Sequence, residues 1–116
     1  MSEDAWQDFN LPDEIEKQIS LGSPYREFLR VHSLSCGIYT LAAGAKDLQG
    51  PHDEDEVYVV LKGRAKIRID ERVVDVGPDS ILYVHATAEH SFFEIEEELT
   101  LLVFFGTGSK PQTKLD

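Results

Sequence analysis

The sequence predicts one all-β domain, a jelly roll or small barrel, preceded by a short N-terminal helical or extended arm. Three observations carry this. From about Leu34 onward, short runs rich in Val, Ile, Tyr and Phe alternate with turn residues at close, regular spacing. The helical period is lost over the same stretch. The strands follow one another through tight turns, without the crossover helices that a parallel sheet needs. A chain of 116 residues is the size of one domain.

Residues 1–33 are read as an arm that packs on or swaps over the barrel, 34–106 as the barrel, and 107–116 as a flexible tail. In the arm, Asn10 to Ile19 reads as a short helix, with Pro12 in its first turn and acids at its positive end. Leu11, Ile15 and Ile19 recur every four residues and predict one apolar stripe. Ser23 to Arg30 is readable either as a helix start or as an extended edge. Strands are expected near 34–42, 48–52, 57–62, 65–70, 72–76, 80–84, 90–95 and 99–105. Gly44, Gly50-Pro51, Gly63, Asp70-Glu71, Gly77-Pro78-Asp79 and Glu96 to Glu98 mark the breaks. Ala65 to Ile69 alternates apolar and basic, as a half-buried antiparallel strand should. Leu101 to Phe105 is apolar on both faces, so its outer side is expected to be covered by the arm or a second subunit. Tyr39, Tyr58, Tyr83, Phe92 and Phe104 are assigned to the core.

Composition bounds the function. Hydrophobic residues make up 41% and charged residues 28%, the balance of a folded domain. The net charge of −11, from 22 acids against 11 bases, argues against nucleic acid and anionic membrane as partners. The single cysteine, Cys36, excludes an intrachain disulfide and suits a reducing compartment. No apolar run approaches a membrane span, and Met1 to Asp4 lacks the basic start of a signal peptide, so a cytoplasmic protein is expected. No Gly-x-Ser-x-Gly elbow and no phosphate-binding glycine loop is present.

The chemistry concentrates at Gly50 to Gly63. His52 and Glu56 stand four residues apart at the mouth of an apolar strand. Imidazole and carboxylate together suit a divalent metal. A lone His-x-x-x-Glu in an acidic loop is ordinarily a solvated turn, so the metal reading depends on a third residue, His90. Inward side chains recur every second residue along a barrel strand, which puts Glu56, Tyr58 and Val60 on one face. His90 opens a strand with Phe92 next on its face.

These residues resemble the cupins, small jelly-roll barrels with two motifs. Gly44, His52, Glu56 and Gly63 fall on the first motif, with Gly50 at the place of its first histidine. Gly77 to His90 resembles the second motif, with His85 and Thr87 where that motif has Pro and Gly. The resemblance implies a divalent ion (Fe, Mn, Ni or Zn) held by His52, Glu56 and His90, with Gln49 as a weaker candidate. It also implies a small organic molecule as substrate or ligand, and a homodimer. Tyr58 is the first candidate to line the pocket. The leading function is a metal-dependent enzyme, dioxygenase- or isomerase-like. The alternatives are a non-catalytic small-ligand sensor, or a degenerate cupin with an empty site. His85 is read as a rim residue and His32 as structural. Trp6 is read as an anchor for the arm or a dimer contact, and Cys36 as a buried thiol.

Overall fold

A computed structural model describes residues 5–47 and 53–106. One helix, α1 (Leu11–Leu21), precedes six strands: β1 (Tyr25–Val31), β2 (Leu34–Leu41), β3 (Glu56–Ile69), β4 (Arg72–Val76), β5 (Ile81–Val84) and β6 (His90–Gly106). They form one antiparallel sheet in the order β1-β2-β6-β3-β4, with β5 also paired to β3. The expected strand at 48–52 lies outside the described residues.

The ambiguous Ser23–Arg30 segment resolves as strand. Tyr25–Val31 pairs with β2, and the chain turns back between them at His32 and Ser33. Two expected breaks are not breaks. Gly63 lies inside β3, at φ 99°, where a Cβ would come 2.2 Å from the Glu98 carbonyl oxygen of β6. The β3–β6 register shifts repeatedly between Val60 and Lys66. Gly63 therefore lets two long strands bend together at a bulge, where a turn was expected from its composition. Glu96 to Glu98 falls opposite that bend, inside β6.

The inner faces of the strands bury a core of Leu41, Tyr58, Val60, Ala65, Ile67, Val76, Val84, Phe92, Ile95, Leu99, Leu101 and Val103. Tyr25, Tyr39 and Phe105 pack against it. Tyr83, assigned to the core from sequence, is 58% exposed on β5, while Tyr58 and Phe92 are fully buried. The alternation on β5 explains this: Val84 points in, so its neighbour points out.

Helix α1 begins at an Asn10 cap, whose side chain accepts from the Asp13 N–H, and ends at Gly22 in the left-handed conformation. It packs against β1 and β2. The face it buries is not the predicted stripe. Glu14 and Gln18 are buried, whereas Ile19 is 65% exposed. Glu14 is neutralised by Arg26 at 2.6 Å, and Gln18 bridges the Ser23 carbonyl and the Thr40 hydroxyl at 2.7 Å each. Specific polar partners on β1 and β2 thus outweigh hydrophobic periodicity in setting the helix's rotation.

Candidate functional site

Two strands, β3 and β6, bring polar groups to one part of the barrel interior. Glu56 is the first residue of β3, Tyr58 the next on its inward face, and His90 the first residue of β6. Glu56 and Tyr58 are 1% exposed and His90 7%. His90 Nε2 lies 3.0 Å from Glu56 Oε1 and 3.0 Å from the Tyr58 hydroxyl. Phe92, next inward on β6, closes edge-on against the Tyr58 ring.

The tautomer follows from the other ring nitrogen. His90 Nδ1 is 2.9 Å from the Ala88 carbonyl oxygen, which can only accept, so Nδ1 carries a proton and donates it. Nε2 is left to face the carboxylate and the phenol. A proton on Nε2 would lie against the Glu56 carboxylate. Hydrogen bonding to the Glu56 carboxylate is the main cause that raises the His90 pKa above its ordinary value, with burial opposing it.

The same geometry fits a metal. With metal–ligand bonds of about 2.1 Å, adjacent ligands of an octahedral ion stand about 3.0 Å apart, the separation of Nε2 and Oε1 here. An imidazole whose Nδ1–H is held by a carbonyl is oriented as metal-bound histidines usually are. Among the described residues no group of three or more His, Cys, Asp and Glu converges to hold an ion. His52 and Gln49, the further expected ligands, lie outside the described residues, as does Gly50.

Two acids that sequence reasoning passed over flank that stretch. Asp47 is buried; its Oδ1 accepts from the Tyr39 hydroxyl at 2.8 Å and its Oδ2 from the Phe92 N–H at 2.9 Å. Asp55 accepts from the Ala86 N–H at 2.7 Å, and its carbonyl accepts from the Gly106 N–H at 3.0 Å. The chain is thus tied to β2, β6 and the β5–β6 turn immediately outside 48–52. No motif signals Asp47, since its partners are distant in sequence, and Asp55 is hidden in an acidic run that reads as solvated loop.

The turn that delivers His90 carries a further signature. Thr87, where the second motif resembled here has glycine, stands at φ 70°. Ala88 N–H donates to the His85 carbonyl to close the turn. Left-handed backbone is what glycine would supply without strain.

Residues 37–105 match the family described as Cupin domain. The chain belongs to that family. An uncharacterized protein of Streptomyces coelicolor is 42% identical to this cupin over 94 residues, covering 80% of this chain and 90% of its own. Among solved structures, the Cnp3 cupin domain of Schizosaccharomyces pombe superposes with a TM-score of 0.66 at 15% identity, over 72% of this chain and 64% of that one. This cupin therefore spans just under two-thirds of that structure's length. A cupin superfamily protein of Desulfitobacterium hafniense gives a TM-score of 0.63 at 19% identity, over 71% and 74% of the two chains. At these identities the structural likenesses show a shared fold.

The remaining candidates fall outside the centre. His85 is exposed, and its Nδ1 donates to the Ala86 carbonyl at 2.6 Å. His32 is exposed in the β1–β2 turn. Cys36 is buried, and burial pushes its thiol up to about 11, so little thiolate forms near neutrality.

Proposed function

We propose that this cupin is a metal-dependent enzyme acting on a small organic molecule. Glu56 and His90, joined by His52, would hold a divalent ion such as Fe, Mn, Ni or Zn, with Gln49 as a further candidate donor. One observation supports this most: a buried imidazole, its Nδ1–H committed to a carbonyl, presents Nε2 at 3.0 Å from a buried carboxylate. When bound, such an ion polarises a carbonyl or carboxylate, or brings O2 and substrate together if it is redox-active.

The chain's own residues supply the rest. Ala88 orients the His90 ring. Tyr58, within hydrogen-bond distance of Nε2, can hold or pass a proton beside the reacting centre. Phe92 and Val103 keep water from that wall.

Gly50, at the position of the motif's first histidine, favours a second reading. A reduced ligand set suits a sensor that binds a small ligand without turnover. Elemental analysis of untagged protein beside His52→Ala, Glu56→Gln and His90→Ala variants tests the metal reading. Near-stoichiometric metal in the wild type, lost in each variant, is expected. No metal, and none taken up on titration, would sink it. Substrate turnover with the loaded protein then separates enzyme from sensor.

As a cupin the protein is further proposed to form a homodimer. Trp6, Ile19 and Leu21, 73%, 65% and 58% exposed, are the most exposed large apolar groups described in the arm and the ones proposed for the contact.

A further inference from the structure

Asp47 is a buried carboxylate that no motif marks, and it touches the strand of His90. Beyond the end of β2 the chain is fastened to β6 at two points. The Gly44 N–H donates to the Ile95 carbonyl at 3.0 Å, and Asp47 Oδ2 accepts from the Phe92 N–H at 2.9 Å. β3 pairs with one edge of β6 over His90 to Phe93, while β2 pairs with the other edge only from Leu99 onward. Backbone N–H groups two residues apart in a strand point to the same edge, so the edge that Asp47 caps at Phe92 is also the edge of His90. The carboxylate serves there as the carbonyl of a neighbouring strand would. Its other oxygen accepts from the Tyr39 hydroxyl of β2 at 2.8 Å. Burial together with that bond raises the Tyr39 pKa, so the phenol stays a donor. One side chain thereby bridges β2 and β6.

We infer that Asp47 is a positioning residue for His90: the Tyr39–Asp47–Phe92 bridge fixes the start of β6 and so holds the imidazole Nε2 against Glu56 Oε1 before any cation arrives. This rests on the proposed function only in taking Glu56 and His90 as metal ligands. The bridge acts at the backbone, two residues from the ring, while the ring's own Nδ1–H is fixed by the Ala88 carbonyl. Strand position and ring rotation are thus set by different groups, and the first belongs to Asp47. The choice of a carboxylate has an electrostatic consequence as well. Asp47 is among the charges that favour the protonated imidazole, and a field that favours a proton at the ring favours a cation there too. A neutral residue in its place would add nothing to that field. It would also cap Phe92 less strongly, since hydrogen bonds to charged acceptors are about twice as strong as neutral ones. Groups that orient metal-binding histidines govern affinity without touching the ion.

The test compares chelator-treated, full-length wild type with Asp47→Ala, Asp47→Asn and Ile38→Ala. Ile38 is buried on β2 next to Tyr39 and so on the opposite face of the strand. Its truncation costs stability without touching the bridge. Zn2+ affinity is measured by competition with a chromogenic chelator, at a temperature where the compared variants are folded. The His90 ring is followed in long-range 1H–15N spectra without metal. Asp47→Ala is expected to weaken Zn2+ binding about 10–100-fold and to shift the His90 ring resonances of the metal-free protein. Asp47→Asn, which keeps an acceptor for Phe92 but not the charge, is expected to fall between Asp47→Ala and wild type in both. Ile38→Ala is expected to match wild type in both while its thermal midpoint falls. Wild-type affinity and resonances in Asp47→Ala would overturn the inference, and so would equal losses in Ile38→Ala. If Asp47→Ala does not fold, Asp47→Asn decides, and a wild-type affinity and His90 spectrum there would overturn it. A wild type that takes up no Zn2+ would defeat the metal reading alone. The metal-free spectra then carry the test: a His90 shift in Asp47→Ala but not in Ile38→Ala supports the inference, and no shift overturns it.

Discussion

At the scale of single residues, the two nitrogens of His90 have different duties. Nδ1 is committed to Ala88, and Nε2 faces the Glu56 carboxylate. The raised His90 pKa turns this into a pH dependence. A folded-state value above the unfolded one means that folding takes up a proton, so the stabilisation is complete below the ordinary value of 6.5. It is lost as pH rises through the folded value. Urea midpoints of chelator-treated wild type should therefore fall across that window relative to a His90→Gln variant. A parallel pH profile for the two proteins would contradict the assignment. His90→Ala, which leaves Glu56 buried beside no imidazole, is expected to cost about 3–5 kcal/mol in the same assay. Thr87, strained at φ 70°, predicts the opposite sign. Thr87→Gly should stabilise by about 0.5–1 kcal/mol, measured as a higher urea midpoint.

At the scale of elements, the fold depends on two long strands bending together and a helix latched by polar groups. Gly63→Ala places a methyl group against the Glu98 carbonyl and forces a side chain into left-handed backbone. A loss of at least about 2 kcal/mol is expected, seen as a lower unfolding midpoint; an unchanged midpoint would show that the bend relaxes freely. Gln18→Ala removes both bridges from α1 to the sheet. About 1–2 kcal/mol of local stability should disappear, read as faster amide exchange in α1 with the β3–β6 core unaffected. The strand alternation was legible in the sequence because barrel strands have one wet and one dry face. The bend at Gly63 was not, since composition alone cannot tell a glycine that ends a strand from one that kinks it. Nor was the rotation of α1, because Glu14 and Gln18 are held by Arg26 and Thr40 on strands that follow, and helical periodicity sees only the helix.

At the scale of the whole molecule, the family and the barrel were readable from two spaced motifs plus strand rhythm. Glu56 and His90 were readable with them, and the structure brings those two to 3.0 Å although 34 positions separate them in sequence. The ties of Asp47 and Asp55 were not readable. Each is a contact between strands distant in sequence, and none alters a local pattern. The exposed Trp6, Ile19 and Leu21 belong to this scale as well. If they form the dimer contact, sedimentation equilibrium should give twice the 13.1 kDa chain mass. A Trp6→Ser, Ile19→Ser double variant should move that mass toward the monomer. A monomeric wild type would contradict the proposed homodimer.

The most direct test of the proposed metal site is a long-range 1H–15N spectrum of the histidine side chains in chelator-treated protein, before and after stoichiometric Zn2+. Zn2+ should move His90 Nε2 and leave its Nδ1 protonated on Ala88. His52 should move with it, while His32 and His85 keep their resonances. A spectrum in which His90 is unmoved, or binds through Nδ1, would contradict the assignment of Glu56 and His90 as the core of a metal site.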